Sequence, residues 1–155
     1  MQSALAVSPA GTAGTIQSMG GTTIAYKQSG YGPEDVPGTQ SQFYNPRGLN
    51  IASNGDVYLT DALNERVRMI DAAGNVHLVA GNPTPANAPA NQTAPNGTIA
   101  SGVSATDPSV TFNQPHGVAV SSDGSKIYIA DSSNCVIRMV SKATNMITTI
   151  AGKGQ

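Results

Sequence analysis

Few residues in this 155-residue chain are of types that do chemistry, and their spacing is the first guide to their use. Asp61 and Asp131 are each followed three residues later by an asparagine, Asn64 and Asn134. Asp and Asn at a turn bond nearby backbone and tolerate unusual dihedrals, so these four read as turn builders. Acid–base carboxylates have to sit close together, whereas these two occupy equivalent places in two separate stretches. The two histidines, His77 and His116, are well separated and have no carboxylate cluster between them, so a zinc site is not expected. Cys135 is the single cysteine, which rules out an intrachain disulfide, and it reads as a small apolar residue buried in a strand. No Ser–His–Asp or Cys–His motif appears, and the glycine-rich pieces follow no strand–loop–helix pattern that would cradle phosphate. Neither a cofactor nor a catalytic residue is expected.

The strongest chemical signal is a modification signal. Asn91-Gln92-Thr93 and Asn96-Gly97-Thr98 are two N-x-T sequons, five residues apart, in a stretch of Pro, Ala, Asn, Thr and Ser. N-glycans at Asn91 and Asn96 would explain how the surface stays wet. Only 11% of the residues are charged, against roughly 25% in ordinary globular domains, and the net charge is −1. No basic patch marks a nucleic-acid partner, and no apolar run is long enough to span a membrane as a helix. The expected setting is extracellular or cell-surface. The first residues, MQSALAVSPAGTAG, lack the basic start and sustained apolar core of a secretory signal, which makes a mature or partial chain the expectation.

The elements that must position these residues come from a repeat. Phe43 to Gly81 recurs as Phe112 to Gly152. In the first copy, residues 48–53, 56–60, 66–70 and 75–80 read as strands, linked by Asn54-Gly55, the turn from Asp61 to Glu65, and Ala73-Gly74. The second copy repeats them as GVAVS, KIYIA, CVIRMV and MITTIA. Each is a four-stranded antiparallel meander. Leu49, Ile51, Val57 and Leu59 point one way and Tyr58 the other, all apolar, so the first two strands are covered on both faces. In the third strand Arg66 and Arg68 alternate with Val67 and Met69, which reads as a polar outer face.

The repeated residues resemble the NHL family of β-propeller blades. The resemblance is carried by N-P-R-G-L (45–49) and Q-P-H-G-V (114–118), by D-V-Y-L-T-D (56–61) and K-I-Y-I-A-D (126–131), by N-E-R-V-R (64–68) and N-C-V-I-R (134–138), and by V-A-G and I-A-G at the ends. It extends over about residues 22–155, departing at Val136, where the first copy has Arg66. It implies an all-β fold of two blades, with a central opening near Arg47 and His116. Propellers of this kind serve as ligand platforms or protein and RNA contacts, with lyase or hydrolase chemistry in relatives, so fold alone does not name a function.

The chain therefore divides into a small polar segment (1–21), an extra outer strand with a loop (22–46), blade one (47–81), the sequon-bearing loop (82–115) and blade two (116–155). The extra strand, Thr22, Thr23, Ile24, Ala25 and Tyr26, nearly repeats the start of TTIAGK (148–153). Two blades cannot close a ring that needs at least about four. The sequence thus predicts an incomplete propeller whose partners are copies of itself, in a ring or filament, with Thr22–Tyr26 as the assembly strand. The alternative is part of a larger propeller that binds a protein or carbohydrate. Protein isolated from its native source should lose mass on enzymatic deglycosylation; an unmodified peptide spanning Asn91 and Asn96 would remove the glycan expectation.

Overall fold

The computed structural model describes residues 32–82 and 100–154. Thr22–Tyr26, Asn91 and Asn96 lie outside those residues.

The repeat folds as two antiparallel sheets. In blade one the inner strand is β2 (Pro46–Ile51), followed outward by β3 (Val57–Asp61), β4 (Arg66–Ile70) and β5 (Asn75–Ala80). A two-residue strand, β1 (Val36–Pro37), pairs with the outer edge of β5. Blade two repeats this with β7 (Gly117–Val120), β8 (Lys126–Asp131), β9 (Val136–Ser141) and β10 (Met146–Ala151), edged by β6 (Val103–Ser104). Each sheet therefore has five strands rather than the four expected, because the segment before each blade lays a short strap along its outer edge. A strap of two residues leaves no periodicity to read. Pro37 fits there because an edge strand can spare one N–H.

Tight turns explain the strand order. Gly55, Gly74 and Gly124 take positive φ where the hairpins reverse. Between the second and third strands a 3₁₀ turn ends on a left-handed residue, Glu65 (φ 56°) in blade one and Cys135 (φ 57°) in blade two. Cys135 is consequently exposed at a turn and not buried in a strand; β9 begins one residue later.

The third strands also correct the sequence reading. Arg66 is buried, and Arg68 and Arg138 are fully enclosed instead of facing solvent. The segments ahead of each inner strand fold over Arg68 and Arg138 and supply acceptors for their guanidinium groups.

The two blades stack face to face. Tyr58, Val67 and Ala80 of blade one join Phe112, Ile127 and Ile129 of blade two in one core, while Val57, Leu59, Ile70 and Val76 form a second cluster on the other face of blade one. The two-sided burial expected of the first two strands is met by β3, whereas on β2 the side chains of Leu49 and Ile51 stay exposed, because among the described residues no sheet lies against that face of the inner strand. Polar pins cross the junction: Asn50 Oδ1 accepts from the Val120 amide (3.1 Å), and Lys142 Nζ donates to Tyr58 Oη (3.0 Å). A Cβ at Gly48 would lie 2.3 Å from the His116 carbonyl oxygen, so only glycine lets the inner strands approach. Its counterpart Gly117 meets only Ala130 Cβ at 3.5 Å. Gly48→Ala should lower stability by about 1–3 kcal/mol, an overpacking cost. Gly117→Ala should change it by less than about 0.5 kcal/mol. Urea midpoints in dilute solution compare the two; equal losses would contradict the tight junction described.

Candidate functional site

The turn residues picked out in the sequence build one arrangement twice. Asp61 is fully buried at the end of β3. Its Oδ1 accepts the Tyr44 amide (2.6 Å), and its Oδ2 accepts Asn64 Nδ2 (2.8 Å) and Arg68 Nη1 (3.3 Å). Asp131 accepts the Asn113 amide (2.8 Å), Asn134 Nδ2 (2.9 Å) and Arg138 Nη1 (3.5 Å) in the same way. The bonded backbone is that of the preceding loop, and the loop answers: Leu63 donates to the Tyr44 carbonyl and Ser133 to that of Asn113, each at 3.0 Å. The Asp is thus a clip between two segments, not a brace for its own turn alone.

Each arginine completes its clip. Arg68 donates to the Gln42 carbonyl (2.6 Å) and to Ser41 Oγ, pairs through Nε with Glu34 Oε1 (3.2 Å), and lies over the Phe43 ring, 4.6 Å from its centroid. Arg138 donates to the Ala100 carbonyl and lies over Phe112 at 5.6 Å. A planar guanidinium suits this place because it stacks on the ring and still has donors for the loop carbonyls. Burial pushes both aspartate carboxyls up from their ordinary values, while the Asn side chains, the loop amides and the arginines pull them back down. These amide, asparagine and arginine contacts all donate toward the carboxylates, so the ionised form is the one the clip fits.

The sequence candidates fall elsewhere. His116 and its blade-one counterpart Arg47 meet at the exposed start of the inner strands, with Arg47 Nη1 2.6 Å from His116 Nε2. Arginine can only donate, so Nε2 is the acceptor in this contact. His77 is on β5, between two carboxylates that the sequence reading did not connect to it: Nδ1 lies 2.6 Å from Asp35 Oδ1 and Nε2 2.9 Å from Asp71 Oδ2. Asp35 comes from the strap, 42 residues away, a separation no local pattern reports. Among the described residues no group of three or more His, Cys, Asp or Glu side chains is arranged to hold a metal ion. The shared seven-residue spacing of Asp61 to Arg68 and Asp131 to Arg138 was the signal that could have revealed the buried pairs.

Stacked four-stranded meanders, each clipped to the loop that precedes its inner strand, define the chain as adjacent blades of a β-propeller. Residues 112–138, from Phe112 through the Asp131 clip to Arg138, match the NHL repeat. No curated protein matches the chain. Among solved structures it is similar to a candidate phosphatase from Bacteroides thetaiotaomicron, at 22% identity over 86% of this chain and 26% of that one, with a TM-score of 0.58. It is also similar to a streptogramin B lyase, at 15% identity over 69% of this chain and 26% of the lyase (TM-score 0.44). An auxiliary nutrient binding protein from Bacteroides thetaiotaomicron is 18% identical over 72% of this chain and 25% of that one (TM-score 0.45). The chain spans about a quarter of the length of these structures.

Removing the clip carboxylate should be costly. Asp61→Ala leaves Arg68 enclosed without its nearest buried charge partner and should lose about 3–5 kcal/mol. Asp56→Ala, in the outer part of the β2–β3 turn, should stay within about 0.5 kcal/mol. Chemical denaturation of both variants checks the difference, and a mild Asp61→Ala would contradict the clip's role.

Proposed function

We propose that the chain is a non-enzymatic assembly module, a pair of propeller blades that is completed by packing against copies of itself. The observation that carries this reading is the exposure of Leu49 and Ile51, each 63% exposed, at the positions where Val118 and Val120 of blade two pack against the shared core. At the opposite end, Tyr128, Met139 and Gly117 of blade two repeat the Tyr58, Met69 and Gly48 that blade one turns toward its neighbour. One end offers the socket, and the other the plug, of a junction the chain already makes internally. Head-to-tail contacts of this kind close into a ring where the rotation permits and otherwise extend as a filament.

Thr22–Tyr26 supplies a strand for a neighbouring copy in this reading, by edge addition. The setting is extracellular, with N-glycans on Asn91 and Asn96 solvating a charge-poor surface. The two clip aspartates support a non-enzymatic role, because their lone pairs are engaged by structural donors.

A second reading, a segment of a longer propeller that binds a protein or carbohydrate, is favoured by the quarter-length coverage of the solved structures. There, blades of the same polypeptide cover the two end faces.

Light scattering of the purified 155-residue chain separates the readings. Self-assembly predicts masses at multiples of the chain, with Leu49→Asp and Gly117→Ala each yielding folded monomers. The first buries a charge at the socket, and the second places a methyl group where the next copy's inner strand must approach. A wild-type chain that is a folded monomer at high concentration would sink self-assembly and leave the longer-propeller reading standing.

A further inference from the structure

The outer edges of the two blades are fastened differently. Both straps use the same backbone bond: Asp35 donates to the Val76 carbonyl and Gly102 to the Ile147 carbonyl, each at 2.7 Å. Both residues are left-handed, with φ of 58° for Asp35 and 74° for Gly102. Glycine adopts that conformation at no steric cost, whereas an aspartate there is held against a modest one. Blade one places a side chain at this position, and that side chain reaches His77. The counterparts of Asp71 and His77 in blade two are Ser141 and Thr148, so its strap has no such fastening.

We propose that Asp35, His77 and Asp71 form a proton-operated latch that closes the strap over the outer edge of blade one and releases it as pH rises. The chemistry follows from counting protons. An imidazolium donates from both ring nitrogens, satisfying Asp35 through Nδ1 and Asp71 through Nε2. A neutral imidazole has one N–H, so one carboxylate must face a bare nitrogen lone pair and lose its bond.

Asp71 is the better anchored acceptor, since its Oδ1 also takes the Asn75 amide (2.9 Å). Asp35 is largely exposed, so the strap contact is the one surrendered. The groups facing His77 are Asp35 from the strap and Asp71 from the β4–β5 turn; Met69, its partner across β4, is uncharged. Glu34, next in the strap, turns instead to Arg68.

The hydrogen bond to Asp71 lifts His77 above its ordinary value, burial opposes it, and the bond to Asp35 adds to the rise, while His77 in turn holds Asp71 down at about 2. A histidine raised in the folded state gives stability that is fully present below its unfolded value, about 6.5, and is lost as pH rises through the folded value. Opening the strap uncovers the outer hydrogen-bonding side of β5, an edge that can accept an extended strand. The device is thus a pH gate on edge pairing, confined to one blade of the two.

Amide hydrogen exchange on the full chain, corrected for intrinsic rate and resolved by NMR alongside the His77 ring signals, tests the latch. Protection of the Asp35 and Gly38 amides should fall by about tenfold or more between about pH 5 and pH 9, with a midpoint that follows the His77 titration. The Gly102 amide of blade two should show no such fall. His77→Gln should flatten the dependence, and Asp35→Gly, which installs the blade-two residue and relieves the backbone, should flatten it without loss of fold. Protection that stays constant through the His77 titration would overturn the proposal, as would an unchanged fall in Asp35→Gly.

Discussion

The structure depends on an ion pair that has no access to water. Arg68 and Arg138 are enclosed, and each is neutralised by an aspartate at the end of the neighbouring strand. A buried charge is costly unless it is paired and its remaining donors are bonded. Here Arg68 through Gln42 and Ser41, and Arg138 through Ala100, reach the segment that precedes the inner strand, so one guanidinium ties together a strand end, a turn and an incoming segment. In this small blade, with few aromatic residues, the arginine also does the packing of a large apolar side chain by lying over Phe43 or Phe112. The pair gives each blade an internal anchor that does not depend on its neighbours, even though its sheet faces do.

That division explains what was readable in the residues. The strands announced themselves because their turns are chemically marked, by Asn54-Gly55 and Asp123-Gly124, and because every copy has a second copy against which to check it. The apolar character of both faces of β3 signalled its burial between layers, while on β2 the same pattern marks a face that this chain leaves exposed at Leu49 and Ile51. Arg68 was misleading because alternation reports only that a residue faces away from its neighbours, not whether the chain later folds over it. The cover comes from Glu34, Ser41 and Gln42, residues with no pattern linking them to β4. Cys135 misled for a related reason: an apolar residue beside a strand was taken into it, although the turn needed a left-handed residue there. The His77 contacts were invisible because Asp35 arrives through a strap only two paired residues long.

The likeness between blades is as informative where it fails. Blade two replaces Asn50 by Ala119 and Thr60 by Ala130, and its strap has glycine where blade one has Asp35. Polar groups that serve the internal junction are absent from the equivalent outward positions. The two blades share a scaffold but present different surfaces, so a repeated sequence does not produce a repeating exterior.

The pins across the junction set an order among contacts. Asn50 holds the Val120 amide and Lys142 reaches Tyr58, while the outward-facing counterparts of Asn50 and Lys142 are Ala119 and Ala72, which can form neither bond. A blade docked at either end meets apolar surface without those hydrogen bonds. In the assembly proposed above, separation under stress would therefore begin at the ends, with the blade pair, more than the single repeat, as the unit that persists.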